Sequence, residues 1–181
     1  MVRRIAGNDV VLFSASARIV RQAARERINN MVGGKPLIDF RQMLLEDIAS
    51  VAAIEQLVNP SPWSLQQLQA ELANPDSRFD LLIVGEAIAA YLCSWKIIDE
   101  LEIQNVVTAP GFRRRGYAGK ILEYVLRRAA RENIAKVFLE VRVGNIAAKT
   151  LYEKFQFKTS GVRSKYYADN EDAVLMELEL L

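Results

Sequence analysis

Histidine is absent from all 181 residues, and Cys93 is the only cysteine. The first absence removes Ser-His and Cys-His catalysis and the usual zinc sites. The second removes internal disulfides and cysteine-cluster metal sites. Any proton transfer is left to Glu, Asp, Tyr, Lys, the one thiol or water. No apolar run reaches the roughly 18 residues needed to span a bilayer. Near the start, Arg3 and Arg4 precede a run broken at Gly7, Asn8 and Asp9, which does not read as a secretory signal. A cytoplasmic location without a membrane partner is expected. The net charge of +2 is too small to point to nucleic acid.

What is present suits one domain with a sizeable core, since 51% of the residues are apolar. Cys93 lies in the strand-like run Tyr91–Trp95 and reads as a core residue. Charge is unevenly spread. Residues 1–36 hold seven Lys/Arg against Asp9 and Glu26, a surplus of five, so the rest of the chain is at −3. This divides the chain into a basic N-terminal extension, residues 1–36, and a main domain, residues 37–181.

Within the extension, residues 5–13 read as a short strand and 16–32 as a basic amphipathic helix. Its expected roles range from an inert appendage to a targeting segment or a basic arm for RNA or protein. In the main domain, strands are expected at Leu37–Met43, Phe79–Val84, Ala87–Ile98, Leu101–Thr108, Lys136–Val143, Phe157–Thr159 and Ala173–Leu180. Helices are expected at Leu45–Val58, Leu65–Ala73, Ala118–Ala130 and Asn145–Phe155, with Ser64 capping the second. Ile48, Val51, Ala52 and Leu57 are candidate core positions of the first helix. Val137, Leu139, Val141 and Val143 share one strand face. Residues 160–172 read as a polar loop. The fold class is α/β (α+β), with a mixed sheet flanked by helices.

The most specific chemistry lies at Arg113-Arg114-Arg115-Gly116-Tyr117-Ala118, between a strand and a helix. The first N–H groups of a helix lack internal partners, and the dipole favours an anion there. Three guanidiniums beside those donors point to phosphate.

This loop in this position resembles the pyrophosphate loop, Gln/Arg-x-x-Gly-x-Gly/Ala, of the GNAT family of acetyl-CoA-dependent N-acetyltransferases. The resemblance covers about residues 37–181 and implies a mostly antiparallel central sheet. Phe138–Asn145, Ala147-Ala148, Leu151-Tyr152-Glu153 and Phe155-Gln156-Phe157 are similar to the RimI-type branch, as are Pro60–Ser64. That branch acetylates the N-terminal alanine of a small-subunit ribosomal protein. Tyr166–Ala173 resembles the corresponding loop of N-terminal acetyltransferase catalytic subunits.

The resemblance implies acetyl-CoA as cosubstrate, no metal, and an N-terminal peptide of a ribosomal or similar protein as partner. It makes Glu140 the general base, directly or through water, and Tyr152 the group that protonates the leaving thiolate. Arg113, Arg114, Arg115, Gly116, Tyr117 and Ala118 would hold the pyrophosphate. Backbone groups of Val106 and Val107 would hold the pantetheine amides and thioester carbonyl. Asn145 would position cofactor or peptide from the same helical face as Tyr152, and Tyr166 and Tyr167 would line the peptide entrance. Glu102 is a second candidate base.

Read alone, Glu140 lies on the strand face opposite Val137, Leu139 and Val141 and shares it with Phe138. An α-amine titrates near ~7.8 and lysine near ~10.4, so far more N-terminal amine is free at neutral pH. Two readings compete with N-terminal transfer: acetylation of lysine or a small amine, and a non-catalytic acyl-CoA- or partner-binding module.

Overall fold

The computed structural model describes residues 31–32 and 35–180. The first described elements are β1 (Met31–Val32) and β2 (Lys35–Pro36), paired antiparallel. The helix expected over 16–32 therefore does not run through Met31 and Val32. Its remainder, and the strand expected over 5–13, lie outside the described residues.

The main sheet starts with β3 (Ile38–Gln42). A 3-10 turn (Leu45–Asp47) leads into α1 (Ile48–Val58), followed by α2 (Leu65–Ala73). Then come β4 (Ser77–Val84), β5 (Ala87–Ile97) and β6 (Glu100–Thr108). A second 3-10 turn (Pro110–Phe112) precedes α3 (Tyr117–Arg131). The chain ends with β7 (Lys136–Arg142), α4 (Ile146–Lys154), β8 (Lys158–Arg163) and β9 (Ala173–Glu179). The seven strands lie in the order β3-β4-β5-β6-β7-β9-β8. Only β6 and β7 are parallel neighbours, because α3 carries the chain back between them.

Cross-strand partners point to one side of a sheet, so the register assigns the two faces. Phe40, Asp80 and Leu92 face α3: Phe40 stacks on Tyr124, and buried Asp80 takes a two-pronged grip from Arg128 at 2.5 and 2.7 Å. Tyr91, Cys93 and Trp95 face the other way, toward Glu55 of α1 and Glu71 of α2. Glu102, Asn105, Phe138 and Glu140 fall on this second face by the same pairing. α3 seals the first face with Ile121, Leu122, Val125 and Leu126. The start of α3 also abuts α4, where Gly119 meets Leu151 and Phe155.

Local chemistry explains most boundaries. Ser64 accepts from the Gln67 amide at 3.2 Å while Gln67 Oε1 accepts from the Ser64 amide at 2.9 Å. This capping box starts α2 where the Pro60–Pro62 turn ends. Ser64→Ala should cost about 0.5–2 kcal/mol of stability, read as a lower urea midpoint at unchanged m-value.

Three expectations are corrected. Leu57 is half exposed, and Ile54 and Glu55 take its place in the core. Eight of the eleven positions of α1 are apolar, so periodicity could not choose its buried face. Val143 is also exposed, because β7 stops at Arg142 and the chain turns toward α4. Finally, β8 runs on to Arg163 instead of becoming loop at Ser160. It is an edge strand with almost no buried residue, so it carries no apolar alternation.

Candidate active site

The sheet is split in its middle. β6 pairs with β7 only from Glu100 to Ile103, opposite Lys136 to Leu139. Asn105 to Thr108 continue to pair with β5, but no strand among the described residues covers their other edge. A bulge marks the parting: Cys93 faces Asn105 and Ser94 faces Ile103, leaving Gln104 as the extra residue. Bulges increase local twist and bend the strand that carries them. Val106 and Val107 thus lie on a free strand edge, where backbone N–H and C=O groups can hold amide-bearing chains. This fits the pantetheine arm expected there.

The basic turn follows at once. Arg114 and Gly116 both have positive φ, 63° and 78°, and α3 begins at Tyr117. Glycine suits the second position because the left-handed conformation costs it little. Arg113, Arg114 and Arg115 are exposed, and none pairs with a carboxylate among the described residues. Arg113 Nε reaches the Thr108 carbonyl at 3.4 Å, while Arg115 sits 5.9 Å over the Phe112 ring. Three uncompensated guanidiniums at a helix start fit a pyrophosphate.

Glu140 is mostly covered but not isolated. Arg163 Nη1 lies 2.5 Å from Glu140 Oε1, and the same guanidinium lies 5.6 Å over the Tyr166 ring. The neighbouring Glu140 carboxylate is the main cause of a raised phenol pKa at Tyr166. Arg163 reaches over β9, where its own cross-strand partner is the small Ala173. Residues reading only as polar loop hid this arginine from the sequence.

Tyr152 is buried on α4 with its ring 5.8 Å from Phe157. Burial raises its phenol pKa well above the usual value, and Tyr167 adds to the effect. Tyr167 is raised by burial and interacts electrostatically with Glu140 as well. Tyr166 and Tyr167 meet edge to face at 5.2 Å. Asn145 is the N-cap of α4, with Oδ1 accepting from the Ala148 amide at 3.2 Å. It has φ −80° and ψ 68°, outside the helix proper, so helical spacing does not carry from Asn145 to Tyr152.

A cavity of about 330 Å³ opens beside Glu140 on the second sheet face. Phe138 and Leu175 line it together with Glu102, the second candidate base. Cys93 offers no alternative nucleophile: it is fully buried, and burial pushes its thiol up to about 12.

Glu55 escaped the sequence reading. It is completely buried, yet no cation pairs with it among the described residues. Its Oε2 accepts from Asn59 Nδ2 at 2.6 Å and from the Trp63 amide at 3.1 Å. Its Oε1 accepts from Asn105 Nδ2 at 2.8 Å and from the Tyr91 hydroxyl. One carboxylate so ties the Pro60–Trp63 loop to β6 just beyond the bulge. A lone Glu in the apolar helix Ile48–Val58 was the available signal.

Residues 48–157 match the sequence profile of the Acetyltransferase (GNAT) family. The chain belongs to this family and is an acetyltransferase. It is 33% identical over 138 residues to a putative [ribosomal protein bS18]-alanine N-acetyltransferase of Bacillus subtilis, covering 75% of this chain and 91% of that protein. It is 29% identical over 137 residues to the [ribosomal protein bS18]-alanine N-acetyltransferase of Escherichia coli K12, covering 74% and 92%. The crystal structure of the ribosomal-protein-S18-alanine N-acetyltransferase from Escherichia coli superposes with a TM-score of 0.75 at 26% identity, covering 80% of this chain and 94% of that one. The RimI-type resemblance and the mixed, mostly antiparallel fold are thereby borne out.

Proposed function

We propose that the chain is an N-α-acetyltransferase that moves acetyl from acetyl-CoA to the N-terminal amine, preferably of alanine, of a ribosomal or similar protein. The observation that carries this is Glu140 on β7 just past the point where β6 and β7 part, ion-paired with Arg163 and followed along the chain by buried Tyr152 and the Tyr166-Tyr167 pair. The names of the bacterial relatives support alanine and a ribosomal substrate. A ribosomal substrate would set the reaction in the cytoplasm.

Acetyl-CoA supplies an acetyl thioester. The turn Arg113–Ala118 takes its pyrophosphate, and the edge at Val106-Val107 takes the pantetheine amides and directs an N–H at the thioester oxygen. Glu140 receives a proton from the attacking amine, directly or through one water. The amine attacks the thioester carbon, and the C–S bond breaks as the tetrahedral centre collapses. The Tyr152 phenol, kept protonated by burial, hydrogen-bonds to the departing sulfur and supplies a proton. No enzyme-bound acyl group is formed, in keeping with the inert state of Cys93. Asn145 shapes the junction of β7 and α4, and the Tyr166-Tyr167 loop grips the peptide end.

The test is acetyl transfer to an Ala-starting peptide against the same peptide N-blocked but containing lysine. Product on the free α-amine alone is expected. Product on lysine of the blocked peptide would overturn the N-terminal reading. Acetyl-CoA binding without turnover on either peptide would make the chain a binding module.

A further inference from the structure

Arg142 has no role in the chemistry above, yet it makes contacts that only a hub makes. It is the last residue of β7 and, two residues after Glu140, lies on the same strand face. Its Nη1 donates to Glu171 Oε2 at 2.7 Å and to Asp169 at 2.8 and 3.0 Å. Its guanidinium carbon lies 3.9 Å from the centre of the Tyr167 ring, far closer than Arg163 to Tyr166 at 5.6 Å. The other Glu171 oxygen accepts from the Gly144 amide at 2.8 Å, at the start of the turn into α4. Arg142 holds Asp169 and Glu171 below the usual carboxylate range. The same loop is pinned by the Tyr167 amide on the Glu171 carbonyl at 3.1 Å and by the Val143 amide on the Asp172 carbonyl at 3.0 Å.

We propose that Arg142 is a positioning residue: it fixes the Tyr167 ring against Tyr166, next to the Glu140–Arg163 pair, and through that ring sets the grip on the substrate's peptide end. The inference rests on the N-terminal acetyltransferase reading. Charge alone could tie the loop through Asp169 and Glu171. A planar guanidinium can stack its face on Tyr167 while its edge hydrogen-bonds Asp169 and Glu171, which a compact ammonium does far less well at one time. The arrangement therefore separates loop anchoring from ring placement, and the two can be tested apart.

Arg142→Lys keeps a cation for the two carboxylates but removes the planar face over the ring. The peptide KM should rise roughly tenfold while the KM for acetyl-CoA stays within about twofold. In protein labelled at tyrosine ring carbons, the Tyr167 resonance should move. In a Tyr167→Leu background, Arg142→Lys should add nothing further to the peptide KM. An unmoved Tyr167 resonance, an unchanged peptide KM, an equal rise in both KM values or full additivity with Tyr167→Leu would each overturn the proposal. Absence of wild-type turnover on any N-terminal peptide is a different failure, that of the N-terminal reading, and the resonance then still reports whether Arg142 places the ring.

Discussion

Glu140→Gln should lower turnover of an Ala-starting peptide by about 10- to 1,000-fold, and Tyr152→Phe by about tenfold or more, with acetyl-CoA binding unchanged in both. The amide introduced by Glu140→Gln would fill nearly the same space, but it cannot take a proton from the amine. The loss of charge also frees Arg163, which is more than half exposed and can turn to water. The fold should therefore survive. Tyr152→Phe removes only a hydroxyl and retains the ring that packs on Phe157. Neither residue belongs to the Arg113–Ala118 turn or to the free edge of β6, so the cofactor site stays intact. Calorimetric affinity for acetyl-CoA and kcat on peptide, measured on the same samples, separate the two effects. Full activity in both variants would leave the amine proton and the leaving sulfur without the partners assigned to them.

The elements that could be read from sequence are those whose residues answer to a single requirement. α3 repeats apolar residues at helical spacing because one face meets the sheet, and its start was legible because Gly116 and three arginines part the preceding strand from that apolar repeat. Ser64 declared a helix start through its side chain. Glu140 was legible by alternation along β7, and its position was then strengthened by resemblance. The partners of Glu140 were not legible. Arg163 sits on a strand with both faces wet, where polar composition imitates a loop. Arg142 looked like an ordinary outward residue, because its contacts come from a loop about thirty positions later. The parting of β6 from β7 depends on where pairing stops, and no residue type in Val106-Val107 announces it. Long-range contacts of this kind depend on topology, which local pattern does not encode.

Glu55→Ala should be among the most destabilising single changes in the chain, costing about 3–5 kcal/mol. Four donors from four places converge on this carboxylate: Asn59 at the end of α1, Trp63 in the loop that follows, Tyr91 on β5 and Asn105 on β6. Truncation leaves the buried Tyr91 hydroxyl and three half-buried donors facing a cavity, and a buried donor left unpaired costs about 1–3 kcal/mol before water or relaxation offsets it. Burial and Glu55 together raise the Tyr91 phenol pKa far above its ordinary value, so Tyr91 stays a donor throughout the neutral range. Glu55→Gln separates the network from the cavity. It keeps the volume, but its amide nitrogen is a donor set against donors, so it should still cost about 1–3 kcal/mol. Urea midpoints at unchanged m-value measure both. Equal stability of wild type and Glu55→Gln would show that the carboxylate is replaceable by any group of its size. The loss should also reach function, because Asn105 follows the bulge at which β6 leaves β7. A β6 freed from Glu55 no longer fixes the edge at Val106-Val107. Folded Glu55→Gln should therefore bind acetyl-CoA more weakly, whereas Glu140→Gln should not.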